Sequence, residues 1–128
     1  MKFHAYGHKF VKSTHKTTLE FTKEDFLTET GDCILGINSD FDIENIRKMF
    51  NKDDKLKIIL RIGSFVDEIH AEYNPGFDSH ALIIRKSEYV DKRTFAIRAD
   101  KAANDIKRTL VNEMKKPSAK MIVEIIIE

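Results

Sequence analysis

Five histidines are the side chains of this sequence that are best suited to metal chemistry. Imidazole binds zinc and related metals, and a catalytic zinc site needs about three protein ligands with one position left open. No compact metal motif such as H-E-x-x-H occurs, so we expect no metal site. The histidines are instead predicted to lie at strand edges, bonded to backbone or water: His4, His8, His15, His70 and His80.

Hydroxyl groups surround His15 in the segment 13–18, which has the sequence STHKTT. A nucleophile needs a base within hydrogen-bond reach and a third group that orients this base. Alternate residues of a strand share a face, so His15 and Thr17 are the pair that such chemistry can use. The β-forming tendency of threonine accounts for the same residues without any catalysis, and both interpretations stay open.

Cys33 is the one cysteine of the chain, and a thiol becomes nucleophilic when nearby positive charge lowers its pKa. An internal repeat of the sequence places Arg93 at the equivalent position, from which it can approach Cys33. Free cysteine is, however, among the most buried residue types, and Cys33 shares a strand face with Leu35 and Ile37. Packing in the core is therefore the preferred interpretation of this thiol.

Basic side chains gather near Asp100, where the sequence predicts a helix start whose free backbone N–H groups favour anions. Arg93, Arg98 and Lys101 supply donors there for a phosphate or a carboxylate. No glycine-rich loop brings the backbone close to such a ligand, so a capped and solvated helix start is the alternative.

The composition limits the class of protein. A chain of 128 residues with 41% hydrophobic residues is long enough for one domain with its own core. The 22 basic and 21 acidic residues give a net charge of +1, which indicates no bulk attraction to nucleic acid or membranes. One cysteine forms no internal disulfide, and no segment has the length of a membrane span or a signal h-region. We therefore expect a soluble, cytoplasmic protein.

Strand signals dominate the elements that must position these side chains. Threonine-rich alternation at 17–22 and the run after the Gly-Asp turn at 31–32 indicate strands, as does the alternation within 56–62. The last segment is apolar on both faces apart from Glu124, as in a central strand. The predicted strands are 17–22, 33–37, 56–62, 81–85, 94–98 and 121–127.

Two segments have the apolar spacing of helices. Residues 42–50 form the shorter one, with Ser39 and Asp42 as its N-cap and acidic first-turn residue. Residues 100–116 form the longer one, with Asp100 as its N-cap. Each helix has a single apolar face, so both are expected to cover a sheet.

The two halves of the chain match each other in order, which indicates an internal duplication. The matched pairs, at offsets of 60, 63 and 66 residues, are Asp40 with Asp100, Ile46 with Ile106, 22–27 with 85–90, and His4 with His70. Each half, about 1–64 and 65–128, therefore contains strand, strand, strand, helix and strand. The predicted fold class is α+β and β-rich: one domain of duplicated units, sandwich- or jelly-roll-like or barrel-like, with two covering helices.

Several blocks of the sequence together resemble an uncharacterised, mainly archaeal family of small proteins that is known only as a domain of unknown function. The blocks are GH at 7–8, THKTTLEFT at 14–22, GDCILGINSD at 31–40 and RADKAANDI at 98–106. The resemblance covers nearly the whole chain and implies a β-rich domain of sandwich or jelly-roll type. It implies no activity and no catalytic residue. A looser similarity to cradle-loop barrels concerns the fold alone.

Three classes of function fit the sequence. The leading hypothesis is a binding module whose pseudo-symmetric loops hold a small anionic ligand or a structured RNA. The second class is an enzyme that uses His15, Asp32 and Cys33, with or without a metal. The third is an interaction scaffold whose strand edges or helix faces pair with another chain. The candidate ligand-binding residues are His15, Thr17, Asp32, Arg93, Arg98 and Lys101, and the sequence predicts neither a cofactor nor an oligomeric state.

Overall fold

β-branched and aromatic side chains alternate with polar ones through much of the chain, and the strands form where they do so. The computed structural model describes all residues, 1–128. The first half contains β1 Lys2–Tyr6, β2 Thr18–Thr22, β3 Ile34–Gly36, α1 Ile43–Met49 and β4 Lys55–Ile62. The second half contains β5 Phe65–Tyr73, β6 Ala81–Arg85, β7 Thr94–Ile97, the 3₁₀ turn Ala103–Asp105, α2 Arg108–Met114 and β8 Lys120–Ile127.

All eight strands belong to one mixed sheet, in the order β1-β8-β4-β5-β7-β6-β2-β3. Its two edge strands, β1 and β3, meet where Tyr6 and Ile37 exchange two backbone hydrogen bonds of 2.8 Å each. The sheet therefore closes on itself and is barrel-like, whereas a sandwich needs two separate sheets. The predicted α+β, strand-rich class with two helices is confirmed.

The strand pairing has a twofold relation between the halves. The antiparallel pair β1–β8 corresponds to the antiparallel pair β5–β4. The parallel pair β2–β3 corresponds to the parallel pair β6–β7, and each contains a register shift. The β5–β7 pair corresponds to the Tyr6–Ile37 bridge between β1 and β3. The two other ladders, β2–β6 and β4–β8, each pair a strand with its own counterpart. This pattern supports an internal duplication of about residues 1–64 and 65–128, which we retain as a proposal.

The predicted helix over 100–116 is wrong in its bounds, because contacts from other elements interrupt it. The Asp100 carboxylate accepts the backbone N–H of His70 at 2.9 Å and caps no helix. The backbone N–H of Lys107 donates to the Asp67 carboxylate at 2.9 Å, and the Lys107 ψ angle of 127° is not helical. A buried carboxylate therefore separates the 3₁₀ turn from α2.

The N-cap of α1 is Asp42, not Ser39 as the sequence suggested. The Asp42 carboxylate accepts the backbone N–H of Asn45 at 3.1 Å. Ser39 is buried, and its hydroxyl has no hydrogen-bond partner. Asp42 therefore supplies both the capping bond and the negative charge that favour a helix start.

One hydrophobic core of 32 buried residues fills the inside of the sheet. Aromatic rings cross it from the first half to the second, since Phe3 lies 5.4 Å from Phe41 and Phe41 lies 6.2 Å from Phe77 between ring centroids. Such aromatic pairs contribute about 0.5–1.5 kcal/mol beyond their burial. Both helices are seven residues long, and neither is long and apolar enough to cross a membrane. The two halves therefore share a single core.

Candidate functional site

The larger of two surface cavities lies over the β2–β6 pair and has a volume of about 380 Å³. These strands run antiparallel, with Glu20 opposite Ile83 at the midpoint of their register. Leu19 and Phe21 are fully buried, so the alternation along β2 directs Glu20 away from the core. The lining combines acidic, basic and apolar groups from both halves of the chain, among them Glu20, Glu24, Phe26, Ile34, His80 and Arg93.

Glu20 is half-buried in this cavity, and its pKa is raised. Burial is the main cause and the charge of Glu24 adds to it, while the Cys33 thiol and Arg93 act in the opposite direction. The Cys33 thiol donates the one side-chain hydrogen bond to this carboxylate, with 3.7 Å between Sγ and Oε1. Since a carboxylate has several acceptor positions, Glu20 keeps the capacity to bind a donor or a cation in the cavity.

The Cys33 thiol is poorly suited to nucleophilic chemistry. Burial and the negative charges of Glu20 and Asp32 raise its pKa to about 11. The thiol is therefore protonated at neutral pH, whereas the nucleophilic form is the thiolate. The prediction that Cys33 packs in the core is wrong, because the residue is half-buried, precedes β3 and faces Glu20.

Three of the six predicted ligand-binding residues come together in one loop cluster before β2. The His15 Nδ1 accepts the backbone N–H groups of Thr17 at 3.2 Å and of Thr18 at 3.1 Å. The Asp32 carbonyl oxygen accepts the backbone N–H groups of Thr14 at 2.9 Å and of His15 at 3.2 Å. The Thr17 hydroxyl lies 3.4 Å from the same His15 nitrogen. His15 thus organises its own loop through Nδ1, the ring nitrogen that lies near the Thr17 hydroxyl.

Two of the three predicted basic residues face different carboxylates. Arg93 lines the cavity over β2–β6, and its side chain is 59% exposed and lies 3.5 Å from the carboxylate of Asp91. Arg98 pairs with Glu72, and its Nε lies 2.9 Å from the carboxylate of Glu88. Arg93 therefore has the weaker contact and the freer guanidinium.

Lys101, the third basic residue, is held by a buried carboxylate. Its Nζ lies 2.6 Å from Asp67 Oδ1, and the Asp67 side chain is 2% exposed. Although burial opposes it, the hydrogen bonds from Lys101 and from the Lys107 backbone lower the pKa of Asp67. The bond to Asp67 raises the pKa of Lys101 in turn. Lys101 therefore serves as a structural ion-pair partner and lines neither cavity.

The smaller cavity, of about 300 Å³, contains Arg98 and His70. His70 contacts Glu128 through Nδ1, and its Nε2 lies 3.4 Å from Glu68 Oε1. Although desolvation acts in the opposite direction, these two carboxylates raise the pKa of His70. No three histidine, cysteine or carboxylate side chains of the chain are arranged to hold a metal ion. The charged groups of this cavity pair with one another, which makes the larger cavity the better candidate site.

Reasoning from the sequence missed Glu20 and Phe26 as cavity residues. A usable signal was present in the predicted match of 22–27 with 85–90. That match places the small Thr22 on the large Arg85. Thr22 and Arg85 are the last residues of β2 and β6. Because the threonine side chain is much smaller than the arginine side chain at the equivalent position, the first half is expected to contain an unfilled space there.

Comparison with known proteins finds relatives along nearly the whole chain. A model of the family described as "Domain of unknown function (DUF371)" matches residues 3–128. The uncharacterized protein MJ0206 of Methanocaldococcus jannaschii is 39% identical over 131 residues, which cover 96% of this chain and 96% of the relative. The predicted resemblance to an uncharacterised family with an archaeal member is confirmed. Neither description states an activity, so a function has to be argued from the cavity.

Proposed function

Because the chain belongs to DUF371, a family of unknown function, we propose from its geometry a binding module for a small polar ligand in the cavity over β2–β6. The observation that supports this most directly is that Glu20 and Glu24 from the first half and Arg93 from the second line the same concave space. Small-ligand sites combine a concave apolar wall with a few polar groups that fix orientation. Phe26 and Ile34 supply such a wall here.

Arg93 is the residue that we assign to the anionic group of the ligand. Its guanidinium is largely exposed, and its contact with Asp91 is 3.5 Å long, so most of its donors remain accessible. Guanidinium groups bind carboxylates and phosphates through paired, charge-assisted hydrogen bonds. Of the contacts that the sequence predicted for an anionic ligand, we therefore propose that the one to Arg93 is made in this cavity.

Of the two predicted partner classes, the small ligand is the one that we propose. Nucleic acid is bound by a positively charged groove. Two of the predicted cations, Arg98 and Lys101, are paired with carboxylates, and the cavity itself contains two glutamates. Structured RNA is therefore the weaker candidate.

The enzyme alternative has little geometric support. The Cys33 thiol is protonated at neutral pH because its pKa is raised to about 11. His15 accepts backbone N–H groups through Nδ1, which orients the imidazole toward its own loop. We also propose that the protein works in the cytoplasm, because a half-buried thiol without a disulfide partner suits a reducing compartment.

Native mass spectrometry of the freshly purified full chain tests the binding function. We expect an added mass that is lost on denaturation and that corresponds to a small organic anion or zwitterion. In titrations with the identified compound, Arg93→Ala should weaken binding about tenfold or more, because a charge-assisted bond is removed.

Lys101→Ala is the matched control for Arg93→Ala. Because Lys101 contacts Asp67 and lines no cavity, this variant should lower stability and leave the affinity of the folded protein unchanged. An affinity that depends on Lys101 and not on Arg93 would contradict the assignment of the site to this cavity.

A further inference from the structure

The loop after β2 and the loop after β6 begin with the same backbone arrangement, over residues 22–27 and 85–90, and the loop after β2 is then three residues longer. Each loop is hydrogen-bonded to a residue with positive φ that lies just after the next strand. This residue is Asn38 after β3, with φ of 49°, and Arg98 after β7, with φ of 52°. In the first half, Asn38 N–H donates to Glu24 O at 2.8 Å, and Ser39 N–H donates to Thr22 O at 2.9 Å. In the second half, the equivalent bonds are Arg98 N–H to Ser87 O at 3.1 Å and Ala99 N–H to Arg85 O at 3.0 Å. Side chains at matched positions of these loops can therefore be compared directly.

In the second half, the side chain of Arg85 fills the space between this loop and β7. Its Nε donates to Thr94 Oγ1 at 2.8 Å, and a terminal nitrogen lies 3.5 Å from Asp91 Oδ2. The guanidinium stacks over the ring of Tyr89, 4.8 Å from the centroid. Only 12% of the Arg85 side chain is exposed. The fold thus binds a guanidinium group here with an aromatic face, a hydroxyl and a carboxylate.

In the first half, the matching positions surround a cavity. The residues that correspond to Arg85, Tyr89 and Thr94 are Thr22, Phe26 and Ile34, and all three line the space of about 380 Å³. Asp91 corresponds to Gly31, which has no side chain to place there. Thr22 is too short to fill the volume that Arg85 fills in the other half. The aromatic wall is retained, because Phe26 stands where Tyr89 stands.

Negative charge reaches the first-half cavity from two other positions. Glu20 and Glu24 occupy the places of Ile83 and Ser87 in the second half, and both line the cavity. A cation that enters this space therefore meets two carboxylates in place of the one that Asp91 supplies to Arg85. Arg93 lines the same space and remains for an anionic group of the ligand.

We propose that this cavity binds the guanidinium group of a small molecule, which stacks on Phe26 and bonds to Glu20 and Glu24. The proposal rests on the proposed function, because it names the ligand class for the same cavity. Guanidinium groups pair with carboxylates in a planar, bidentate manner and stack on aromatic faces, and this lining offers both. With Arg93 at the anionic end, a compound that carries both a guanidinium and a carboxylate, as free arginine does, fits the lining best.

Calorimetric titration of the full chain with arginine, agmatine and citrulline tests the ligand class. Citrulline has nearly the shape of arginine but carries a neutral urea in place of the guanidinium. We expect arginine to bind, agmatine to bind more weakly because it lacks the carboxylate that Arg93 contacts, and citrulline to bind at least about tenfold more weakly than arginine.

Thr22→Arg tests whether arginine binds in the cavity over β2–β6. The substitution places in the first half the side chain that Arg85 places in the second, and this side chain should fill the cavity. We expect this variant to remain folded, since Arg85 occupies the same place on the same backbone, and to lose arginine binding. Thr30→Arg is the matched control, because it makes the same change on an exposed part of the loop outside the cavity. Glu20→Gln and Phe26→Ala give a second test that does not depend on the folding of Thr22→Arg, and each should weaken arginine binding about tenfold.

Different outcomes separate the guanidinium inference from the binding function. If native mass spectrometry finds a ligand that needs Arg93, but arginine and agmatine give no binding, the guanidinium inference is wrong and the binding function stands. Equal affinity for citrulline and arginine would also overturn it. Binding of an arginine-containing peptide without binding of free arginine would overturn the assignment to a small molecule. Unchanged arginine affinity in folded Thr22→Arg would remove the cavity itself as the site.

Discussion

The loops after β2 and β6 begin with the same backbone arrangement, over residues 22–27 and 85–90, and differ in what fills the space beneath them. Beneath the β6 loop, the Arg85 guanidinium is stacked on Tyr89 and bonded to Thr94. Beneath the β2 loop, Thr22 leaves a cavity of about 380 Å³. In a fold with repeated units, the place where two copies agree in backbone and differ in side-chain volume is therefore where a binding site is best sought.

The same two regions differ in how their carboxylates are used. Although desolvation acts the other way, hydrogen bonds from Thr94 and from the Arg93 backbone lower the pKa of Asp91. Glu20 accepts one weak bond from Cys33, and burial raises its pKa. The first carboxylate supports the fold, whereas the second is a charged group that the fold leaves short of partners. Perturbed groups of the second kind are concentrated at functional sites.

The comparison of the two loops assumes that the two halves of the chain use equivalent positions. The variants that test this assumption are expected to have the largest effect on the free energy of unfolding. Ile46 and Ile106 match at an offset of 60 and are 0% and 1% exposed. Deleting a buried aliphatic side chain costs about 2–5 kcal/mol. We therefore expect Ile46→Ala and Ile106→Ala to lower the free energy of unfolding by similar amounts in denaturant titrations.

Lys107→Ala is the control for these variants, because Lys107 is exposed and follows Ile106 directly. It should change the free energy of unfolding little. A large loss from one isoleucine and none from the other would mean that the halves do not use equivalent positions for packing, and the comparison of their loops would lose its basis.

Much of the fold could be predicted from local pattern. The strand at 81–85 has the predicted bounds, and the strand at 56–62 gains only Lys55, because short runs rich in aliphatic and β-branched residues mark strands without reference to the rest of the chain. The helix over 100–116 could not be predicted correctly. Its interruption depends on Asp67, which is 40 positions from Lys107.

The candidate site was predicted less well for a similar reason. Arg93 was assigned to an anion site and does line a cavity, but Lys101 is bonded to Asp67, 34 positions away. Sequence spacing shows which residues carry charge, and it does not show which of those charges another element has already neutralised. The more useful signal was the difference between Thr22 and Arg85, since it appears within the repeat itself.

Arg85→Ala removes the side chain that fills the space beneath the β6 loop, and it should have the next largest effect on the free energy of unfolding. The Thr94 hydroxyl loses a hydrogen bond from a charged group, which contributes about 1.5–3 kcal/mol, while the hydroxyl keeps its bond to the Asp91 carboxylate. We expect a corresponding drop in the free energy of unfolding. Arg93→Ala, which removes a guanidinium that is 59% exposed, should change it much less.

A double variant, Thr22→Arg with Arg85→Ala, tests the second-half space directly. In this protein the first-half cavity is filled by the new arginine and the second-half space is emptied, so added agmatine can bind only in the second half. Because the emptied second-half space keeps Tyr89, Asp91 and Thr94, agmatine should raise the thermal unfolding midpoint of this double variant. It should leave the midpoint of Thr22→Arg alone unchanged. A rise in both proteins, or in neither, would mean that the space under the β6 loop is not specific for a guanidinium group.

The smallest expected effect concerns the charge of Glu20. A carboxyl group whose pKa is raised by folding contributes stability below its ordinary pKa of 4.5, and this contribution is lost as pH rises through the raised value. At pH 7 the ionised Glu20 therefore makes the folded state less stable than a neutral side chain would. Ile83, the residue at the same place in the second half, shows that the fold requires no carboxylate there.

Glu20→Gln should accordingly raise the thermal unfolding midpoint slightly at pH 7, and this advantage should shrink as the pH falls through the raised pKa of Glu20 and be gone below 4.5. Glu29→Gln, the same change on an exposed loop residue, is the control and should leave the unfolding midpoint at pH 7 unchanged. The same Glu20 variant is expected to bind arginine more weakly, so one substitution would gain stability and lose binding. A lower midpoint at pH 7 would mean instead that the charge of Glu20 supports the fold as the charge of Asp91 does, and the contrast between the two regions would then be one of volume alone.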